Sequence, residues 1–193
     1  DGKALQKGVS LLDGRVGERI VDPRLTLVDD PLVDMAPGSY RCDGEGVAAS
    51  AKPLIERGEL RHFVFDLQTA GLLKASSTGN ASGGFATLPA PDYSNLRIAP
   101  GDTPRQAMLS SLPRCLLVDS VLGAGQSNVL AGDFSVNLEL AFLVERGEVV
   151  GRVKNAMLAG NAFEALNRIG EISRETEWQG EDEFPYVSVL DQS

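Results

Sequence analysis

The sequence predicts an α+β fold that is predominantly antiparallel β, built barrel-like or as packed sheets with hairpins, with two or three short helices. Three observations predict it. Nine short segments carry β-branched or alternating apolar residues. The 21 glycines and 10 prolines cluster between these segments, where tight turns need a positive φ or one preset at about −65°. Two stretches also share hairpin wording, Leu54-Ile55-Glu56-Arg57-Gly58-Glu59-Leu60 and Leu143-Val144-Glu145-Arg146-Gly147-Glu148-Val149.

In chain order, the segments read as strands are 18–21, 24–28, 47–55, 60–66, 95–98, 115–121, 137–144, 148–153 and 186–190. In each hairpin an apolar strand enters, Arg-Gly turns the corner with glycine able to adopt the left-handed conformation, and an alternating strand leaves. Three helices interrupt the strands. Residues 67–74 predict about two turns, weakened by Gly71. Thr103-Pro104-Arg105-Gln106 reads as a capping box with proline at the first helical position, opening a helix that ends at Pro113. Asn161 caps a third, in which Phe163, Leu166 and Ile169 form one apolar stripe before Gly170. Residues 76–91, small, polar and Gly-rich, read as one long loop.

Composition removes several function classes. The chain has 193 residues, 42% of them apolar, enough to bury a core. Its 18 basic and 27 acidic side chains give a net charge of −9, which repels phosphate backbones, so no nucleic acid is expected as a partner. The longest apolar runs fall far short of the roughly 18 residues of a membrane span. Cys42 and Cys115 lack CxxC spacing and read as reduced, buried thiols. Residue 1 is Asp and no apolar signal core follows. Residues 1–193 are therefore expected to be a single domain of a longer parent whose N-terminal domain lies outside them.

The lone histidine, His62, is the strongest restriction, because zinc sites and Ser-His-Asp or Cys-His catalysis depend on imidazole. Its strand context places it beside Val64 on a partly buried face. Gly125-Gln126-Ser127-Asn128-Val129 resembles a nucleophile elbow without its second glycine. Gly79-Asn80-Ala81-Ser82-Gly83-Gly84 has no following Lys-Ser/Thr to make it a phosphate loop. Asp29-Asp30 and Asp43-Gly44-Glu45 lack the alternating oxygen ligands of a calcium loop and read as solvated turns. Gly132, Asp133, Ser135 and Asn161 suit close backbone approach, backbone hydrogen bonding and helix capping.

Seven motifs in register carry a resemblance: Val28-Asp29-Asp30-Pro31, Asp43-Gly44-Glu45-Gly46-Val47, the first hairpin, Ser77-Thr78-Gly79-Asn80-Ala81, Gly132-Asp133-Phe134-Ser135, the second hairpin and Ala159-Gly160-Asn161. In order and spacing, over nearly the whole chain, they resemble the C-terminal domain of the TldD/PmbA proteins. The resemblance implies a cytoplasmic, zinc-dependent peptidase (hydrolase) system acting on unfolded peptides, historically called modulator of DNA gyrase. In that family an HExxxH motif and a late cysteine hold the metal, with the glutamate placed to activate water. This sequence contains no HExxxH, and no cysteine falls within 170–186. Val9-Ser10-Leu11-Leu12-Asp13, leading into Gly17-Glu18, is closer to the PmbA (TldE) branch.

The resemblance thus implies a PmbA-like subunit with no metal site or cofactor of its own and no catalytic residue in this chain. Zinc belongs to the metal-bearing branch. The implied partners are unfolded peptides and a second subunit, either its own copy in a homodimer or a TldD-type chain in a heterodimer. Thr78, Gly79, Asn80, Asp133 and Ser135, in loops that match the motifs, are the candidate peptide-channel residues. Two alternatives stay open: a non-proteolytic protein-binding module, and a TldD-like metallopeptidase with its HExxxH upstream of Asp1. Whether the chain belongs to an enzyme in its own right stays open with them.

Overall fold

The computed structural model describes residues 1–84, 86–124, 128 and 130–190. They divide into two compact units, Asp1–Ala99 with Glu177–Phe184, and Pro100–Thr176 with Pro185–Ser193.

The first unit is organised around a short central strand. It contains α1 (Gly2–Gln6), β1 (Leu27–Asp29), β2 (Lys52–Glu56), β3 (Glu59–Leu60), α2 (Leu67–Leu73), β4 (Ala81–Ser82), β5 (Ala90–Pro91) and β6 (Leu96–Ile98). Strand β1 runs antiparallel to β2, with Asp29 opposite Lys52, and antiparallel to β6, with Val28 opposite Arg97. Val21, Leu25, Leu54, Leu60 and Val64 are buried in this unit. The first hairpin turns on Arg57 and Gly58, both at positive φ (49° and 79°). This is the doubly left-handed geometry whose twist matches two-residue hairpins. Helix α2 starts where Asp66 Oδ1 accepts from the Thr69 amide at 2.6 Å and stops at Lys74 in the left-handed region.

The second unit is built on one long strand. It contains α3 (Arg105–Ser111), β7 (Cys115–Leu122), β8 (Asp133–Glu145), β9 (Glu148–Val153), β10 (Met157–Asn161) and α4 (Ala162–Leu166), then β11 (Ile169–Gln179) and β12 (Asp182–Val189). Residues 177–184, at the tip of the β11/β12 segment, belong to the first unit, where Glu183 pairs with Arg97 of β6. Strand β8 carries β7 along one edge and, along the other, β10 at its start and β9 at its end. Val136, Leu138, Ala141 and Val144 of β8 are buried, as are Met108, Leu109, Ile169 and Ile172. The second hairpin repeats the first, with Arg146 and Gly147 at φ 50° and 87°.

The α+β, mainly antiparallel character agrees with the sequence, in its packed-sheet form: the sheets are open, and no closed barrel forms among the described residues. The local differences have physical reasons. Four short helices form among the described residues rather than two or three, α1 being capped by the Asp1 side chain. The helix expected over 161–170 stops after Leu166, because Arg168 O accepts from Leu190 N and Glu171 N donates to Ser188 Oγ, which draws the chain into a strand. Ile169, assigned to the helical stripe, is a buried strand residue.

The Thr103 capping box does not form. Thr103 is held in a parallel bridge to Ser173, and the first free helix amide, Arg105 N, donates instead to Glu175 Oε2 at 2.7 Å. That bond holds the exposed Glu175 carboxyl below its ordinary range. The 76–91 loop contains the β4/β5 ladder, Ala81 opposite Pro91. His62 is exposed, not partly buried, because β3 ends at Leu60 and the alternation ends with it. Its Nδ1 lies 2.8 Å from Pro53 O. No helix among the described residues is long and apolar enough to cross a membrane.

Candidate functional site

In the first unit, three of the motifs converge on one buried polar cluster. Asp29, read as a solvated turn residue, is 0% exposed and sits on β1. Its Oδ1 accepts from Ser94 N and Ser94 Oγ, each at 2.7 Å, and its Oδ2 from Asn80 Nδ2 at 2.7 Å and Lys52 Nζ at 3.2 Å. Lys52 also donates to Asn80 Oδ1 at 2.9 Å, as does Thr78 Oγ1. A buried carboxylate is tolerated when an opposite charge and several donors replace its water, and Asp29 has both. Asp43, the other expected solvated residue, is also buried, with Oδ1 accepting from Glu45 N and Val47 N and Oδ2 from Ala81 N. Gly79 has φ +69°, and a Cβ there would lie 2.5 Å from Ala48 O. Thr78, Gly79 and Asn80 thus stand together in the interior of one unit, where Asn80 joins β1, β2 and the Asp92 carbonyl.

Above this cluster lies a groove of about 460 Å³, lined among others by Tyr40, Asp43, Asn80, Asp92, Tyr93 and Glu181. Tyr40 donates its hydroxyl to Gly79 O at 2.9 Å. Burial first, and then the carboxylates of Asp29, Asp43 and Asp92, push its phenol up to about 12. Tyr93 is shifted upward by burial, Asp29 and Asp92. Cys42 is exposed at the groove wall rather than buried, and Cys115 is half-buried, both as free thiols.

In the second unit two further motifs interlock. Asn161 Oδ1 accepts from Phe163 N and Glu164 N, capping α4, while its Nδ2 donates to Ala131 O and Asp133 Oδ1, each at 2.9 Å. Gly132 at φ +80° lets Ala162 N reach its carbonyl at 2.7 Å, and a Cβ would meet the Phe163 ring at 2.8 Å. Asp133 and Ser135 are exposed on β8, opposite Asn161 and Ala159 of β10. Asn161→Ala is expected to cost about 1–2 kcal/mol, since it removes a cap and the tie to the 131–133 turn together. Chemical denaturation measures this, and an unchanged midpoint contradicts the interlock.

Strand β7 offers a different chemistry. Among the described residues seven of its eight members pair with β8 and none with another strand, so the opposite edge presents unpaired backbone groups. A bulge at Asp119 interrupts its register.

The five channel candidates therefore fall into two sets, Thr78, Gly79 and Asn80 in one unit and Asp133 and Ser135 in the other. Asp29, Lys52, Asp43, Tyr40 and Tyr93 were not among them. Only the motif positions of Asp29 and Asp43 gave a signal in the sequence. Among the described residues no three His, Cys, Asp or Glu side chains come together as a metal site. The 125–129 elbow-like segment, with Ser127, lies outside the described residues apart from Asn128.

Comparison with known proteins agrees with the motif register. The family model of the PmbA/TldA metallopeptidase C-terminal domain matches residues 1–193. The chain is 30% identical over 178 residues to a metalloprotease TldD homolog of Haemophilus influenzae, covering 92% of this chain and 37% of that protein. TldE from Thermococcus kodakarensis superposes with a TM-score of 0.89 at 31% identity, over 97% of this chain and 43% of that one. A Thermotoga maritima protein described as a candidate modulator of a DNA gyrase gives 0.86 at 28% identity, with the same coverage. The chain spans about two-fifths of the length of these relatives. With five of the seven motifs gathered into two clusters, one within each unit, and the whole chain matched, the protein belongs to the PmbA/TldA metallopeptidase C-terminal domain family.

Proposed function

We propose that this chain is the C-terminal domain of a PmbA/TldE-like subunit in a cytoplasmic peptidase system that acts on unfolded peptides. The open edge of β7 carries the reading. An unfolded chain laid antiparallel along that edge gains backbone hydrogen bonds whatever its side chains, which suits a peptidase of broad substrate range. Thr78, Gly79 and Asn80 act by fixing the backbone beneath the groove, and Asp133 and Ser135 by presenting polar groups on β8. The chain contributes dimer and channel surface, while hydrolysis at zinc belongs to a TldD-type partner.

The test supplies a TldD-type subunit with and without this protein and follows cleavage of an unfolded peptide. Cleavage that requires both chains is the expected result. A complex that cleaves no faster than the TldD-type subunit alone overturns the proposal in favour of a non-proteolytic binding module. So does stoichiometric zinc retained by this protein by itself with peptide cleavage, in favour of a metallopeptidase in its own right.

A further inference from the structure

We propose that the groove over Tyr40 and Tyr93 is a subsite for a cationic group, an ammonium or guanidinium, carried by an extended peptide. The inference deepens the peptide-channel reading and rests on it. At about 460 Å³ the groove lies within the range of roughly 300–1,000 Å³ typical of ligand sites, ample for one long side chain or a chain terminus. Its described lining contains Asp43, Asp92 and Glu181 and neither lysine nor arginine.

Lys52, in the cluster beneath it, is committed to Asp29 and Asn80 at 3.2 and 2.9 Å. Asp43 turns both oxygens to backbone amides, and Asp92 spends Oδ1 on the Tyr93 amide. Two phenol rings line the same space, and an aromatic ring within about 6 Å attracts a cation through its quadrupole. Burial raises both phenols most, and the smaller upward contribution of the neighbouring carboxylates is of the sign that favours a cation.

Binding of fluorescent unfolded peptides to the full chain tests this. Four probes share one small-residue sequence: one neutral with both ends blocked, one with a free amino terminus, one with an internal lysine, and one with that lysine acetylated. The neutral peptide tests the backbone reading by itself, and the gain from charge tests the groove. The expected result is binding about fivefold to tenfold tighter for one of the two charged probes, lost on acetylation or blocking. The terminus and lysine arms show which source of the cation the groove takes.

The gain should vanish in Asp92→Asn/Glu181→Gln, with neutral-peptide binding unchanged, and persist in Glu148→Gln on the second hairpin. Equal binding of all four probes overturns the proposal while leaving the backbone reading intact. So does a gain that falls equally in the Glu148→Gln control, which would make it a general attraction to a chain of charge −9. Absence of binding by every probe removes both readings together.

Discussion

Replacing Lys52 with methionine is expected to destabilise the protein by about 3–5 kcal/mol, the range for a buried ion pair that loses one partner. Asp29 is fully enclosed, and the ammonium is the only positive charge among the four donors that reach its two oxygens. Without it the carboxylate is held by Asn80 and Ser94 alone, and Asn80 Oδ1 loses a donor as well. Methionine fills much the same volume, so packing contributes little to the loss. Domains of this kind are stable by about 5–15 kcal/mol, so the loss is a large share of the total. The exposed Lys3→Met is the control, expected within about 0.5 kcal/mol of the parent. Urea unfolding of the three proteins measures it, and a loss for Lys52→Met no larger than for Lys3→Met would show that the cluster does not hold the unit together.

Gly58→Ala should be comparably severe, by about 3 kcal/mol or more, for a reason confined to the backbone. Gly58 turns the first hairpin at φ +79°, and an added Cβ would collide with Val21 O and lie 2.8 Å from Asp22 O. Both are main-chain atoms, with Val21 itself in the core, so neither has a rotamer to move away. Gly17 has a still larger φ, +88°, yet nothing within 4 Å. Gly17→Ala isolates the left-handed strain at about 1–2 kcal/mol. Comparing the two denaturation midpoints separates strain from collision, and equal losses would contradict the close approach described at Gly58.

What was legible in the sequence was mostly what is local. The Arg-Gly corners were readable because a two-residue turn is specified by its own residues, and the start of α4 because Asn161 caps from within. What was not legible depended on distant partners. Asp29 was assigned to solvent because a lone carboxylate belongs there, and the lysine and asparagine that make its burial possible lie 23 and 51 positions away. The cap of α3 comes from Glu175, 70 positions on, which no capping pattern can anticipate. Strand β10, four of whose five residues are exposed, and the mainly polar β11 lacked the alternation that marked the other strands. The motifs identified the family correctly without showing what their residues do: several of them hold the fold, and Asn80 does so from a fully buried position.

The claim with the most consequence is that an unfolded peptide adds to the edge of β7. Amide hydrogen exchange of the full chain, with and without a neutral blocked peptide, tests it directly. The account predicts slower exchange at alternate amides within Cys115–Leu122, those facing away from β8, and little change along β9 and β10. Unchanged exchange across β7 in the presence of saturating peptide would contradict it.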